Sequence, residues 1–308
     1  MAVFDVALHT NGGMFGSDAQ QLLASFPPVE GRVELGPGLW VGRMGTDLAK
    51  VLMDTCEPAQ LGEPKPVRQF AQFYAFVREL DDNAEINQWD ADSRLQRCLA
   101  LSRLIHPTAV GLRYAARVRH DPLHDSLKVV PAEIRGIPVD VFLSPTHKRD
   151  WLTREEAENL GKLLAVAEPL RAPTFPTRVS RALWYFDYAQ RTYYVDLRWT
   201  LVATALEALV HTGKGNSTRH FEDRVPALAT AVGAHQLTKS EAADAWKFRC
   251  RLSHGDTFLS AMPVEEGADT RLYDKLEETL RLTILKAFRD PAFANEFTND
   301  SRINARYH

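Results

Sequence analysis

A proline-bearing segment divides this chain of 308 residues into two parts of different character. Residues 168–176 contain three prolines, which lack a backbone N–H and interrupt both helices and strands. Before this segment strand patterns and helix patterns are mixed, and after it only helical periodicity remains. We therefore expect an α+β domain over residues 1–170, followed by an all-α helical bundle over residues 171–308.

Local patterns in the first part predict its strands and helices. The Gly-Pro-Gly sequence at 36–38 predicts a turn within a hairpin over 31–41. Thr153 and Glu156 have the spacing of a capping box, which predicts a helix from there to about residue 166. Further helices are predicted over 46–56 and 93–105, further strands over 128–130 and 137–143, and either strand or helix over the aromatic run 70–80.

The second part has the pattern of five successive helices, which is typical of an α-bundle. One of them begins at the capping box formed by Thr238 and Glu241, and it runs into the segment 249–254. The last predicted helix ends at Asp290-Pro291. The other three are expected within 179–189, 197–209 and 221–232, and the fifth covers 272–288.

Composition and charge exclude several classes of protein. The formal net charge is −3, with −4 over residues 1–175 and +1 over 176–308, so any nucleic-acid site must be a local cleft. Cys56, Cys98 and Cys250 are far apart and form no C-x-x-C pair, which argues against a zinc ribbon or a disulfide framework. With neither a signal-peptide pattern nor an apolar run of about 18 residues, we expect a cytoplasmic protein without a membrane span.

The strongest chemical pattern lies at the end of the fourth predicted helix, where Arg249 and His254 are followed by Gly255. Arginine is a permanent cation that fits phosphate oxygens, and histidine exchanges a proton near neutral pH. The pair could cleave a phosphodiester without a metal. The alternative is structural, because basic residues at a helix C-terminus also interact favourably with the helix dipole.

Helix geometry limits how this pair can work. Five residues correspond to about 140° of rotation and about 7.5 Å of rise, so Arg249 and His254 do not share one face of a straight helix. They would converge only if the arginine folded back or the helix loosened near Gly255. Two copies of the pair in one cleft, related by two-fold symmetry, would also bring the groups together.

Four further residues are candidates for supporting or phosphate-binding roles, each with a structural alternative: Arg251, Glu207, Arg224 and Cys250. Arg251 lies three residues before His254, and we expect it either to bind a second phosphate or to be solvated. Glu207 interrupts an apolar helix face. A structural ion pair with Arg224 or Arg249 is therefore favoured over a catalytic role for this residue. Cys250 is expected to pack, since it has no neighbouring thiol.

Two other patterns give no site. The segment 120–125 contains two histidines and two aspartates, but Pro122 disrupts their helical spacing, so we interpret it as a polar loop and not a metal site. The glycines at 12–13 and 36–38 form turns, because no Lys-Ser or Lys-Thr follows them as in a P-loop.

Four blocks in the second part carry a family resemblance. They are RALWYF at 181–186, ATALEAL at 203–209, RV at 224–225 and FRCRLSHG at 248–255. Their order and spacing resemble the HEPN superfamily, and most closely its Apea-like branch, over residues 177–290. One departure is Cys250, which stands where that branch has a small polar residue after the motif arginine.

This resemblance implies a metal-independent endoribonuclease that needs no cofactor and acts in bacterial anti-phage defence or as a toxin. It assigns the catalytic positions to Arg249 and His254, and it implies a homodimer through the helical domain with RNA as substrate. The domain over 1–170 would then sense an unknown trigger or position the substrate. The alternatives are a non-catalytic HEPN dimerisation scaffold or nucleotide-sensing module, and a small-molecule-binding regulator whose chemistry lies in the first half.

Overall fold

The chain forms two compact units, Met1–Ala165 and Val166–His308. In the computed structural model of the protein, the described residues are 3–11, 32–43, 74–80, 88–107, 110–118, 131–136, 152–167, 176–192, 195–213, 215–254 and 268–307. The described part of the first unit combines strands with helices, and that of the second contains helices alone. The segment 168–175, interpreted above as a linker, lies outside the described residues.

The first unit is built on a six-stranded antiparallel sheet. Its strands follow the order β2-β3-β4-β1-β5-β6, so the N-terminal strand pairs with β4 on one side and β5 on the other. The strands are β1 (Val3–Asn11), β2 (Arg32–Gly36), β3 (Leu39–Arg43), β4 (Tyr74–Leu80), β5 (Val110–Val118) and β6 (Pro131–Gly136).

The predicted hairpin over 31–41 is confirmed as β2 and β3. Val33 pairs with Val41 and Glu34 with Trp40, and Gly38 adopts the positive φ of 66° that this turn requires. Along β2 the side chains alternate between buried Val33, exposed Glu34 and buried Leu35, as expected for a strand with one face in the core.

Two helices complete the described part of the first unit, α1 (Gln88–Ile105) and α2 (Arg154–Ala167). The predicted capping box begins α2, with the Thr153 N–H donating to Glu156 at 2.8 Å and the Glu156 N–H donating to the Thr153 hydroxyl at 3.2 Å. A Cβ at Gly161 of α2 would lie 3.2 Å from the Leu35 Cα, so the missing side chain lets α2 lie close against β2.

The strand predictions for the first unit need correction. The ambiguous run 70–80 contains β4, and β1 and β5 were not predicted although residues 110–118 alternate in polarity. The residues between the strands predicted at 128–130 and 137–143 were not assigned to a strand, and they form β6. The predicted elements at 46–56, 128–130 and 137–143 lie outside the described residues.

The second unit contains the five predicted helices and two short ones that were not predicted. The five are α3 (Thr177–Arg191), α4 (Val195–Val210), α5 (Ser217–Val232), α6 (Lys239–His254) and α7 (Ala268–Arg289). Asp290-Pro291 does end α7, but it also begins α8 (Pro291–Asn295), because the Asp290 carboxylate accepts from the N–H groups of Ala292 and Phe293. A further short helix, α9 (Asp300–Arg306), follows.

Helix α4 lies at the centre of the second unit, in contact with α3, α5, α6 and α7. It is the most apolar of these helices, and half of its residues are buried, among them Trp199, Val202, Leu206 and Leu209. Four helices thus pack against one apolar helix, whose buried side chains form the centre of the core of this unit.

Two guanidinium groups, that of the partly buried Arg178 and that of the buried Arg224, connect the end of α4 to helix α9. Arg178 donates to the carbonyl oxygens of Ala208 and His211 and forms an ion pair with Asp300 at 2.6 Å. Arg224 donates to the Val210 carbonyl oxygen at 2.8 Å, to the Thr212 hydroxyl at 3.0 Å and to Asn304 at 2.8 Å. These bonds satisfy carbonyl groups that the end of a helix leaves unpaired.

We predict that Arg224→Met lowers the free energy of unfolding of the second unit by about 2 to 4 kcal/mol, because it leaves buried acceptors on α4 and α9 without their donor. The matched control is Arg219→Met on the same helix, whose side chain is 82% exposed and pairs with Asp223 at 3.5 Å. Its expected cost is below about 0.5 kcal/mol. Urea unfolding followed by circular dichroism measures both, and equal losses in the two variants would contradict the account.

Candidate functional site

Helix α6 carries both residues of the R-x4-H pattern. It begins at the predicted capping box, where the Thr238 N–H donates to Glu241 at 2.7 Å and the Glu241 N–H donates to the Thr238 hydroxyl at 3.2 Å. Lys275 of α7 also binds the Glu241 carboxylate at 2.7 Å, which fixes the start of the helix against its neighbour. The helix continues to His254, so it does not loosen between the two motif residues.

The guanidinium of Arg249 is directed towards the N-terminus of α6. Its Cζ lies 5.1 Å from the centre of the Trp246 ring, one turn earlier, and its Nη2 lies 3.4 Å from the Glu207 carboxylate on α4. The Arg249 side chain is 24% exposed, and its Nε is buried without a hydrogen-bond partner. Glu207 and Trp246 therefore hold the position of the Arg249 guanidinium.

His254 lies at the exposed end of α6, in the last helical turn. Within the described part of the chain, no hydrogen bond or ion pair joins His254 to Arg249. Arg249 and His254 therefore diverge, as expected for a straight helix. The arginine side chain folds back towards Trp246 and away from the histidine.

The other motif residues occupy the outer side of α6. Arg251 is exposed, and its guanidinium lies 5.4 Å from the centre of the Phe248 ring, again one turn earlier. Cys250 is partly exposed and carries a free thiol. Neither position decides between the phosphate-binding and the structural interpretation, so both roles stay predictions.

Glu207 and Arg224, the remaining predicted site residues, have different partners. Glu207 pairs with Arg249, one of the two arginines proposed for it from the sequence. Arg224 is buried, with its guanidinium bonded to Val210, Thr212 and Asn304, so it connects α4 and α5 to α9. Those contacts give Arg224 a structural role in this unit, and whether it also meets a phosphate stays a prediction.

A groove of about 430 Å³ lies between α3 and α4, and the sequence analysis missed it. Its lining includes Arg178, Arg181 and Tyr185 of α3, together with Thr204 and Glu207 of α4 and His211 just beyond. Glu207 thus belongs both to the groove and to the ion pair with the motif arginine. No local pattern predicts it: Arg181 and Tyr185 stand one turn apart on α3, and the groove forms only where α3 packs on α4.

A pair of histidines borders this groove. The Nδ1 atoms of His211 and His220 are 3.3 Å apart, so one ring donates to the other, and the Ser217 hydroxyl lies 3.4 Å from His211 Nδ1. Burial holds the pKa of His220 below its ordinary value, and the positive charge of Arg224 and the neighbouring His211 act in the same direction.

Among the described residues, no group of three or more His, Cys, Asp and Glu side chains is placed to hold a metal ion, and no helix is long and apolar enough to cross a membrane. The histidine-containing segment 120–125 lies outside the described residues.

No protein-family model, curated protein or solved structure matches this chain at a significant level. The resemblance to the HEPN superfamily therefore rests on the four sequence blocks alone.

We predict that the second unit loses stability as the pH falls below about 6.5. Because the pKa of His220 is lowered in the folded state, the unfolded chain binds the proton first, and unfolding is favoured over the window between the two pKa values. His220→Asn should flatten this dependence. Thermal unfolding of both proteins at pH 7.5 and pH 5.5 measures it, and an equal decrease in melting temperature for the two would contradict the assignment.

Proposed function

We propose that the helical unit is a metal-independent endoribonuclease of the HEPN type, acting in bacterial anti-phage defence or as a toxin. One observation carries the proposal. Glu207, from the ATALEAL block, and Arg249, from the FRCRLSHG block, are 42 residues apart in sequence, yet their side chains meet across α4 and α6. Two blocks that suggested the family separately therefore contribute to one cluster, beside a groove open to a ligand.

The chemistry of this cluster suits cleavage of RNA by its own 2′-OH. His254 as base takes the proton from the 2′-OH, whose oxygen attacks the adjacent phosphorus. The bond from phosphorus to the 5′-oxygen breaks, and that oxygen takes up a proton from solvent water. Arg249 stabilises the extra negative charge on the pentacovalent phosphorus, and the products are a 2′,3′-cyclic phosphate and a 5′-OH.

Two copies of the chain are part of the proposal. In one chain the Arg249 guanidinium is turned towards Trp246 and away from His254, so a single helix does not present both groups to one phosphate. A homodimer through the helical units, with two α6 helices facing one cleft, would let the arginine of one copy act with the histidine of the other. The exposed position of His254 at the end of α6 leaves it available for such a cleft.

The second candidate is a non-catalytic HEPN module that serves as a dimerisation scaffold or nucleotide sensor. The observation in its favour is that the Arg249 guanidinium already has an acidic and an aromatic partner within its own chain. Cys250 in place of a small polar residue points the same way. This candidate keeps the groove and the dimer but predicts no RNA cleavage.

For the first unit we propose the role of a sensor for an unknown trigger. The formal net charge of −4 over residues 1–175 disfavours binding of a polyanion such as RNA. RNA binding by isolated residues 1–170 at physiological salt would instead support a substrate-positioning role.

We predict that the intact protein cleaves RNA in the presence of EDTA, and that His254→Ala lowers the rate at least about 100-fold, because general acid–base catalysis contributes that much. Arg249→Ala and Arg249→Lys should both be inactive, since an ammonium group cannot replace the guanidinium fork. Cleavage of a labelled RNA, with end-group analysis for the cyclic phosphate, measures these effects.

The control is Arg271→Ala, which removes an exposed arginine from α7 and should leave the rate unchanged. Circular dichroism must show the helical content of the wild type in every variant. Loss of cleavage on chelation, or cleavage at the wild-type rate by a folded His254→Ala protein, would exclude the proposed mechanism.

A further inference from the structure

We propose that the groove between α3 and α4, with two exposed aromatic rings beside it, is the binding surface for single-stranded RNA. This inference deepens the proposed function and rests on it for the identity of the substrate. Its basis is a combination of one unpaired cation, an open aromatic surface and a direct connection to Arg249.

The charges of the groove favour a phosphate. Arg178 is neutralised by Asp300 at 2.6 Å, and Glu207 is neutralised by Arg249 at 3.4 Å. Among the described charged side chains of the lining, this leaves Arg181 as the one without an ion pair, exposed at the groove. His211 adds a second group that can donate to an anion. The net charge of the groove lining is thus positive, although the net charge of the whole chain is −3.

The aromatic surface consists of Trp184 and Tyr188, one helical turn apart on α3. Trp184 is 55% exposed and Tyr188 is 46% exposed, and their ring centres are 4.7 Å apart. Large aromatic side chains are normally well buried, so two adjacent exposed rings indicate a binding surface. Unstacked bases bind such rings, because every base presents a π-face of similar character.

The aromatic surface and the groove are continuous. Tyr185 lines the groove, and its ring centre lies 5.5 Å from that of Trp184. Arg181 and Tyr188 are seven residues apart, which is about 10 Å along the helix. A short oligonucleotide can therefore stack its bases on Trp184 and Tyr188 while a phosphate contacts Arg181.

The same groove leads to the proposed active site through Glu207. This carboxylate lines the groove and holds the guanidinium of Arg249. A strand bound in the groove thus has a phosphate close to the Glu207–Arg249 pair, where it would compete with Glu207 for the arginine.

We assign this surface to RNA and not to a second copy of the chain. A stable dimer interface needs about 800 Å² on each partner and an apolar centre, which two rings beside a charged groove do not supply. A single strand of RNA, by contrast, matches both features, because its phosphates pair with the free cation and its bases stack on the aromatic rings.

The test is fluorescence anisotropy of the full-length protein with a labelled, 2′-O-methylated oligouridine, which cannot be cleaved because its 2′-oxygen is blocked. We expect Trp184→Ala to weaken binding about 5- to 100-fold, the range for loss of one stacked base. Arg181→Ala should weaken binding several-fold and reduce the slope of log affinity against log salt by about one.

Two matched controls should bind like the wild type. Leu197→Ala removes another large apolar side chain, 47% exposed, and Arg271→Ala removes another exposed arginine of the same unit. Because all four positions are exposed, the variants are expected to fold, and light scattering checks their oligomeric state.

The inference is overturned if the wild type does not bind the oligonucleotide, or if Trp184→Ala and Arg181→Ala bind as the wild type does. It is also overturned if Trp184→Ala dissociates a dimer while keeping its RNA affinity, since the surface would then join two copies of the chain. Failure of the proposed function looks different: RNA binding would depend on Arg181 and Trp184, but unmodified RNA would not be cleaved.

Discussion

The ion pair between Glu207 and Arg249 determines the geometry of the candidate site. Helix α4 contacts four other helices, and the Glu207 side chain on it is only 21% exposed, so an ion pair stabilises its charge. Arg249 of α6 is that partner, at 3.4 Å. The pair draws the motif arginine towards the groove and towards Trp246, and thereby separates it from His254 on the same helix. The proposals of a two-copy active site and of an RNA path along the groove both follow from this one contact.

The two proposals assign different tasks to different sides of the same pair of helices. On the α3 side, Arg181, Trp184 and Tyr188 form an open surface suited to recognising a phosphate and stacked bases, neither of which depends on sequence. On the α6 side, Arg249 and His254 supply the groups for a phosphodiester reaction. Glu207 belongs to both sides, so occupation of the groove and the position of the motif arginine are physically coupled through one carboxylate.

Features determined by neighbouring residues could be predicted from the sequence, and features determined by packing could not. The capping boxes at Thr153 and Thr238 and the five long helices depend on local hydrogen bonds and periodicity, and all were predicted. Asp290-Pro291 was interpreted only as an end, although the same two residues also favour the start of a helix. Strands β1 and β5 were missed, although the residues of β5 alternate in polarity, because a local pattern does not reveal which distant strand will pair with them. For the site, the sequence indicated that Glu207 needs an arginine, but the choice between Arg224 and Arg249 was made by how α5 and α6 pack on α4. The groove, which exists only after α3 and α4 pack, had no local signal.

A mixing experiment tests the central claim, that the arginine of one copy acts with the histidine of another, most directly. The inactive variants Arg249→Ala and His254→Ala are combined in equal amounts under conditions that allow subunits to exchange, and cleavage of RNA is followed in EDTA. If the site is shared between two copies, a mixed dimer contains one intact arginine–histidine combination, and random exchange should restore about a quarter of the wild-type activity. A mixture that exchanges subunits but stays as inactive as the separate variants would contradict the shared site.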